Sequence, residues 1–213
     1  MFSNVFSGAQ QHETVSMTHQ SCDISLRMLG PRLIVMGPSN SGKSTLSVFI
    51  GRLTGLPVVH LDLLRHEVGT FDRLRPLVDF HHDHAQAIAA PSWIIDGNYS
   101  SCLDQRLERA TGVILLDETT RKSLKRYIGR CLGRSGRHGG WGAQREPVRL
   151  SMVKHILGPT RSNRKRYRLW FDSCSLPKLY LPTSQAVAAF CQREEARNRG
   201  DGLQESRVHR PFQ

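Results

Sequence analysis

Along most of the chain, short apolar runs alternate with helix-length segments, the pattern of a parallel sheet joined by crossover helices. Five runs read as strands, at 33–36, 58–61, 93–95, 113–116 and 178–181. Helices are predicted to follow at about 43–54, 74–90, 119–131, 147–171 and 183–197. Between two of these helices, residues 132–145 carry Gly133, Gly136, Gly139, Gly140 and Gly142, which predicts a flexible loop or lid. Residues 1–30 are polar and lack sustained periodicity until Ile24, so they read as a disordered extension whose removal through residue 28 leaves the melting temperature within a few degrees. The last stretch, 192–213, is rich in Arg, Glu, Gly and Gln and reads as a mobile tail. The expected organisation is one domain over 31–191 with a lid at about 132–146, and no internal repeat.

Size and composition agree with that organisation. A chain of 213 residues with 38% hydrophobic content can bury the core of one α/β domain. No apolar run approaches a membrane span and the N-terminus lacks a basic stretch followed by an apolar one, so the expected location is cytoplasmic. Five scattered cysteines without C-x-x-C spacing argue against a disulfide framework or a zinc site. Charge changes the picture more. The formal net charge is +12, and residues 121–170 hold fifteen Lys or Arg against a single acid, Glu146. Such a field attracts polyanions, among them ATP, a phosphorylated second substrate and nucleic acid, and charge alone does not choose among them.

The first predicted strand runs directly into Gly37-Pro38-Ser39-Asn40-Ser41-Gly42-Lys43-Ser44-Thr45, the pattern G-x-x-x-x-G-K-[ST]. A strand that ends in glycines and opens a helix leaves backbone N–H groups converging on one spot, where the helix dipole adds positive charge. Gly37 and Gly42 let the backbone approach a phosphate, Lys43 reaches the β and γ oxygens, and the Ser44 hydroxyl ligates Mg²⁺. The amphipathic stretch Leu46, Phe49, Ile50 and Leu53 supplies the helix that the motif requires. ATP and Mg²⁺ are the expected cofactors, held by Gly37, Ser39, Asn40, Ser41, Gly42, Lys43, Ser44 and Thr45. The expected fold is therefore α/β, a three-layer P-loop NTPase fold with a five-stranded parallel sheet and a Gly/Arg-rich lid.

In an open parallel sheet, ligands bind at the carboxyl ends of the strands. Three strands end there on a carboxylate: Asp62, Asp96 and Asp117. A phosphotransferase needs one acid for Mg²⁺ or its water and a second to orient or deprotonate the attacking hydroxyl. Asp96 is assigned to the metal with Ser44, Asp62 to the acceptor, and Asp117, followed by Glu118-Thr119-Thr120, to a helix cap. Asp96-Gly97-Asn98-Tyr99 suits the acceptor side of a cleft, because Asn98 offers donor and acceptor and Tyr99 a ring with a hydroxyl. Arg106 is expected to face the acceptor too. Cations for the transferring group are supplied by the arginine cluster, with Arg130, Arg134 and Arg137 expected to close over it and Arg126 on the Arg130 face. His81-His82-Asp83-His84 resembles a metal patch, but its spacing suits no tight tetrahedral site on one helix face.

These residues resemble the adenylate-kinase-like P-loop family of DNA topology modulation proteins, small bacterial kinases. The resemblance spans 32–190 and rests on the phosphate loop, on Val58-Val59-His60-Leu61-Asp62, on Trp93-Ile94-Ile95-Asp96-Gly97-Asn98-Tyr99, on Leu103-Asp104-Gln105-Arg106-Leu107 and on Val113-Ile114-Leu115-Leu116-Asp117. By similarity to nucleoside monophosphate kinases, it implies that Asp96-Gly97 stands on the metal side and that the arginines of 130–137 are lid residues. After Asp62 the chain departs from the family, with Leu63-Leu64-Arg65-His66 where aromatic and Pro-Gly-Trp-like residues usually stand. The leading expectation is an ATP-dependent small-molecule kinase whose partner is a nucleotide or other hydroxyl or phosphate acceptor. Two further readings are a nucleotide-regulated nucleic-acid binder, in which Tyr127, Trp141, Tyr167 and Trp170 stack on bases, and a protein that binds ATP without transfer.

Overall fold

The computed structural model describes residues 24–67, 73–133 and 148–208, with only the backbone for 161 and for 201–208. At its centre, five parallel strands form one sheet: β1 (Arg32–Met36), β2 (Val58–His60), β3 (Trp93–Asp96), β4 (Gly112–Leu116) and β5 (Lys178–Leu181). Their order is β2-β3-β1-β4-β5, so the strand that feeds the phosphate loop lies in the middle. The register pairs Val35 with Asp96 on one side and with Ile114 on the other. His60 pairs with Asp96 in turn. All five strands fall where the apolar runs predict them.

Successive side chains of a strand point to opposite faces, and here both faces are covered. Leu33, Val35, Ile94, Ile114 and Leu116 pack on one side with Leu46 and Ile50 of α2 (Lys43–Thr54) and Phe190 of α9 (Ser184–Val208). Ile34, Met36, Trp93, Ile95, Val113 and Leu115 face the other side. There they meet Phe80 and Ile88 of α4 (Leu77–Ala89), Leu103 of α5 (Leu103–Arg109) and Phe171 of α8 (Pro159–Ser173). The result is three layers, with β1, β3 and β4 buried almost throughout and the edge strands β2 and β5 half-buried.

The structure differs from the sequence expectation in four places. Leu26–Leu29, inside the expected disordered extension, forms the short helix α1, with Leu26 and Leu29 buried against β4 and α9. Four residues carry too little periodicity to be seen in the sequence, and burial makes this helix. The segment read as one helix over 147–171 is two, α7 (Leu150–Leu157) and α8, broken at Gly158. Pro159 lacks an N–H and disfavours helix in the residue before it, so it opens α8 rather than continuing α7. Helix α9 runs to Val208 instead of ending near 197. Finally, the short helices α3 (Leu61–Arg65) and α5 follow β2 and β3 where no helix was predicted. The helix α6 (Thr120–Cys131) matches its prediction closely.

Candidate active site

The phosphate loop joins β1 to α2. Gly37 has φ 148° and Gly42 φ 101°, both in the region that favours glycine, and Asn40 takes φ 62° between them. A Cβ on Gly37 would run into the Leu116 carbonyl of the neighbouring strand, so only glycine lets β1 leave the sheet here. The Ser41 amide donates to the Pro38 carbonyl at 3.2 Å, closing the turn before the helix. Helix α2 then opens at Lys43, so the amides of its first turn have no intrahelical acceptor and face the loop. The Lys43 ammonium lies within the arch, donating to the carbonyls of Gly37 (3.0 Å) and Pro38 (2.9 Å).

The segment after β3 braces this loop from the side. Asn98 Nδ2 donates to the Gly37 carbonyl at 2.7 Å and the Gly37 amide donates to Asn98 Oδ1 at 3.2 Å. Both ends of the Asn98 amide are thus spent on the loop, whereas the sequence suggested that they face an acceptor. Asp96 is 3% exposed, and His60 Nδ1 lies 2.8 Å from its Oδ2. The Tyr99 hydroxyl donates to Asp62 Oδ1 at 2.9 Å, fixing the carboxylate of the second strand end. Three of four successive residues therefore anchor three different parts of the candidate site: Asp96 the β2 tip, Asn98 the phosphate loop, and Tyr99 the helix that carries Asp62.

Asn98→Ala removes two hydrogen bonds that hold Gly37 in its unusual conformation. At about 0.5–1.5 kcal/mol for each bond, ATP affinity is expected to fall by roughly five- to a hundredfold. Titration calorimetry checks this, and an affinity within twofold of wild type refutes the bracing role.

On the other side of the loop stands an arginine that the sequence placed only on the Arg130 face. Arg126 of α6 donates through Nη1 to the Ser41 carbonyl and through Nη2 to Ser184 Oγ at 3.1 Å. A Cβ on Gly42 would lie 3.1 Å from its Nη1, so the guanidinium sits directly against the loop. Glu118, 2% exposed, holds the same Ser184, accepting from its amide at 3.0 Å and from its hydroxyl, and accepts from the Thr119 amide as well. Burial pushes the Glu118 pKa upward, but these hydrogen bonds, with the charges of Lys122 and Arg126, outweigh it and hold the carboxyl below its ordinary value.

The other expected site residues are placed differently. Asp117 is not a helix cap: Thr119 caps α6, accepting from the Lys122 amide, while Asp117 pairs with Arg164 at 2.7 Å and accepts the Tyr180 hydroxyl at 2.8 Å. It ties α8 to the sheet. Arg130 lies over the Tyr127 ring, 5.8 Å from its centroid. Arg106 is 0% exposed beneath the Tyr99 carbonyl, to which it donates at 3.1 Å. Arg134, Arg137 and most of the predicted lid lie outside the described residues. His60, two places before Asp62 at a strand end, and Ser184 are in contact with the site and carry no role in the sequence reading, whereas Arg126, read as pointing with Arg130 toward the lid, lies against the phosphate loop instead. Among the described residues no group of three or more His, Cys, Asp or Glu is arranged to hold a metal ion, and no helix is long and apolar enough to cross a membrane.

A gluconokinase from Sinorhizobium meliloti 1021 superposes on this chain with a TM-score of 0.51 at 14% identity, covering 86% of this chain and 100% of its own. The fold is that of the P-loop kinases. Two further structures of the same kind match more loosely. A sugar kinase from Janibacter sp. HTCC2649 gives a TM-score of 0.47 at 19% identity, covering 76% of this chain and 90% of its own. A shikimate kinase from Aquifex aeolicus vf5 gives 0.44 at 12%, covering 81% and 98%. No protein-family profile matches the chain, and neither does any curated protein. The P-loop kinase fold accounts for the place of the site: the loop leaves the central strand, and the ends of β2 and β3 bring Asp62 and Asp96 to the same edge of the sheet.

Proposed function

We propose that this protein is an ATP-dependent small-molecule kinase, with the nucleotide on the Gly37 to Thr45 loop and the acceptor on the side of Asp62. The observation that carries this reading is the meeting of that loop with two carboxylates, each oriented by a hydrogen bond from another element, at one edge of the sheet. The residues present suit a nucleotide with Mg²⁺. Ser44 lies in the first turn of α2, and His60 occupies one oxygen of Asp96, leaving its other oxygen to a cation or that cation's water. Mg²⁺ commonly keeps several waters and binds through one or two protein groups plus phosphates, so the lack of a dedicated cage is in keeping with it.

ATP supplies the phosphoryl group, and the metal neutralises charge on its oxygens. The chain's own groups do the rest. Lys43 and the amides of the α2 first turn bind the polyphosphate, and Ser39, Asn40, Ser41 and Thr45 complete its cradle. Arg126 adds a fixed positive charge beside the loop, and neutralising the transferring group is assigned to Arg130, Arg134 and Arg137. Asp62 orients the acceptor hydroxyl and takes its proton, with the Tyr99 hydroxyl holding the carboxylate in place. This division of labour is mostly positioning and charge stabilisation, as phosphoryl transfer requires.

The test is ADP release by the full chain with ATP and Mg²⁺, against a panel of nucleoside monophosphates, nucleosides, sugars and hydroxy acids. Acceptor-dependent release is expected, and Asp62→Asn is expected to lower kcat by about 10²–10⁴, the usual contribution of a general base, with ATP affinity nearly unchanged. ATP binding without turnover on any acceptor would overturn the kinase reading.

A further inference from the structure

His60 and Asp96 meet at the tips of neighbouring strands, and a glycine makes the meeting possible. A Cβ on Gly97, at φ 121°, would lie 2.9 Å from the Leu61 Cβ, so only glycine lets the end of β3 run this close to the end of β2. His60 stands at the N-cap of α3, where a side chain ordinarily accepts from the first amides of its helix, yet it makes no such bond. Its ring is turned across to Asp96 instead, with Nδ1 2.8 Å from Oδ2. An ionised carboxylate only accepts, so Nδ1 carries the hydrogen and donates it. The backbone already pairs the two residues in register, so the sheet does not need the side-chain bond to align its strands.

Both side chains belong to the sheet face that α2 covers. Val58 and Ile94 pack on that face, and residues two places along a strand share it, which puts His60 and Asp96 there too. Helix α2 runs back along the same two strands: a Cβ on its Gly51 would lie 2.5 Å from Val58 Cγ2 and 3.9 Å from Ile94 Cδ1. From Gly51 back to Ser44 the helix rises about 10 Å. From Ile94 to Asp96 the strand rises about 7 Å in the same direction. The first turn of α2, with Ser44, therefore stands over the strand tips that carry His60 and Asp96. Of the two carboxylate oxygens, Oδ2 is taken by His60, whereas Oδ1 has no protein partner and is not closed off from solvent.

We propose that His60 is a positioning residue for the metal side of the site: by holding Oδ2 it fixes the Asp96 carboxylate with Oδ1 open on the α2 face, and so sets how much Mg²⁺ adds to nucleotide affinity. This rests on the reading of Ser44 and Asp96 as the metal side. The terminal torsion of an aspartate is broad, so an unheld carboxylate samples many orientations. Ordering it at the moment of binding costs affinity, and a hydrogen bond made beforehand removes that cost. Partners one shell out from a metal commonly act in this way, and losing one costs about ten- to a hundredfold in metal affinity. Among the described residues, His60 is the one side chain that holds the Asp96 carboxylate.

Calorimetric titration of ATP into the full chain, with Mg²⁺ and with EDTA in its place, reads this without an acceptor. Wild type is expected to bind ATP about tenfold or more tightly with Mg²⁺, and Asp96→Asn is expected to lose that gain. His60→Ala is expected to keep its affinity in EDTA within about twofold of wild type and to lose most of the gain. His60→Asn, whose amide nitrogen donates from near the place of Nδ1, is expected to retain it. His60→Leu, which fills the space without a donor, is expected to match His60→Ala and decides the matter if the alanine variant melts early. A full gain in both donor-less variants overturns the positioning role. So does an equal loss with and without the metal, which is what a merely structural bond gives. No gain in wild type, or a full gain in Asp96→Asn, overturns the metal side itself and the proposal with it. Acceptor-dependent ADP release is measured separately, so a kinase reading that fails there leaves the result for His60 standing.

Discussion

Lys43→Ala is expected to reduce ATP binding by about ten- to a hundredfold and to lower kcat by about 10²–10³. The ammonium does two things in this structure. It donates to the Gly37 and Pro38 carbonyls, which keeps the arch of the loop closed around its own charge, and it is the one cation carried by the loop itself. Hydrogen bonds to charged groups contribute about 1.5–3 kcal/mol, which sets the loss in affinity. The loss in rate is larger, because removing one fixed donor from the reacting group commonly costs about 10²–10³ in kcat. The measurement is nucleotide titration calorimetry alongside ADP release, with the melting temperature as the control for folding. ATP bound as tightly as by wild type would sink the phosphate-loop assignment.

Shortening the N-terminus is expected to have two very different outcomes depending on where it stops. Removal through residue 23 leaves every described contact in place. Removal through residue 29 takes away Leu26 and Leu29, at 7% and 0% exposure, and the hydrogen bond from the Leu26 amide to Glu194 at 3.2 Å. The fit at Leu29 is tight: a Cβ on Gly112 at the start of β4 would lie 2.8 Å from the Leu29 Cβ. Truncating a buried leucine to alanine costs about 2–5 kcal/mol, against a total stability of about 5–15 kcal/mol for a typical domain. Loss of both is therefore expected to leave the chain largely unfolded at 37 °C. Leu29→Ala alone is expected to lower the melting temperature by roughly 4–20 °C. Circular dichroism melts of the three variants check this, and a Leu29→Ala melt within a degree of wild type would refute it. The expectation that residues through 28 are dispensable is thus replaced by a boundary just before Leu26.

Much of the fold was legible because it is written locally. Parallel strands covered on both faces appear as continuous apolar runs, and all five were found at nearly their observed bounds. The phosphate loop was legible for the same reason, since its glycines, lysine and serine act within nine consecutive residues. Helix α1 was hidden because its four residues have no periodicity to read. The break at Gly158 does carry a local signal, Gly158-Pro159, but basic and apolar residues continue past it with helical spacing and mask it.

The sequence by itself determined that a loop with the phosphate-binding pattern leaves the first strand of a parallel α/β sheet and that Asp62 and Asp96 stand at strand ends on the same edge. These follow from short-range constraints: backbone conformation at glycine, the period of side chains along a strand, and the rule that parallel strands share a carboxyl edge. Only the tertiary structure decided what each polar group touches. Asn98 holds Gly37 from 61 residues away, Arg126 reaches Ser41 from 85, and His60 meets Asp96 across 36. It also decided that Arg106 lies in the interior beside His84 rather than at the surface. A side chain's partners and its exposure depend on which distant segments the closed sheet and its helices bring against it, and no local pattern carries that information.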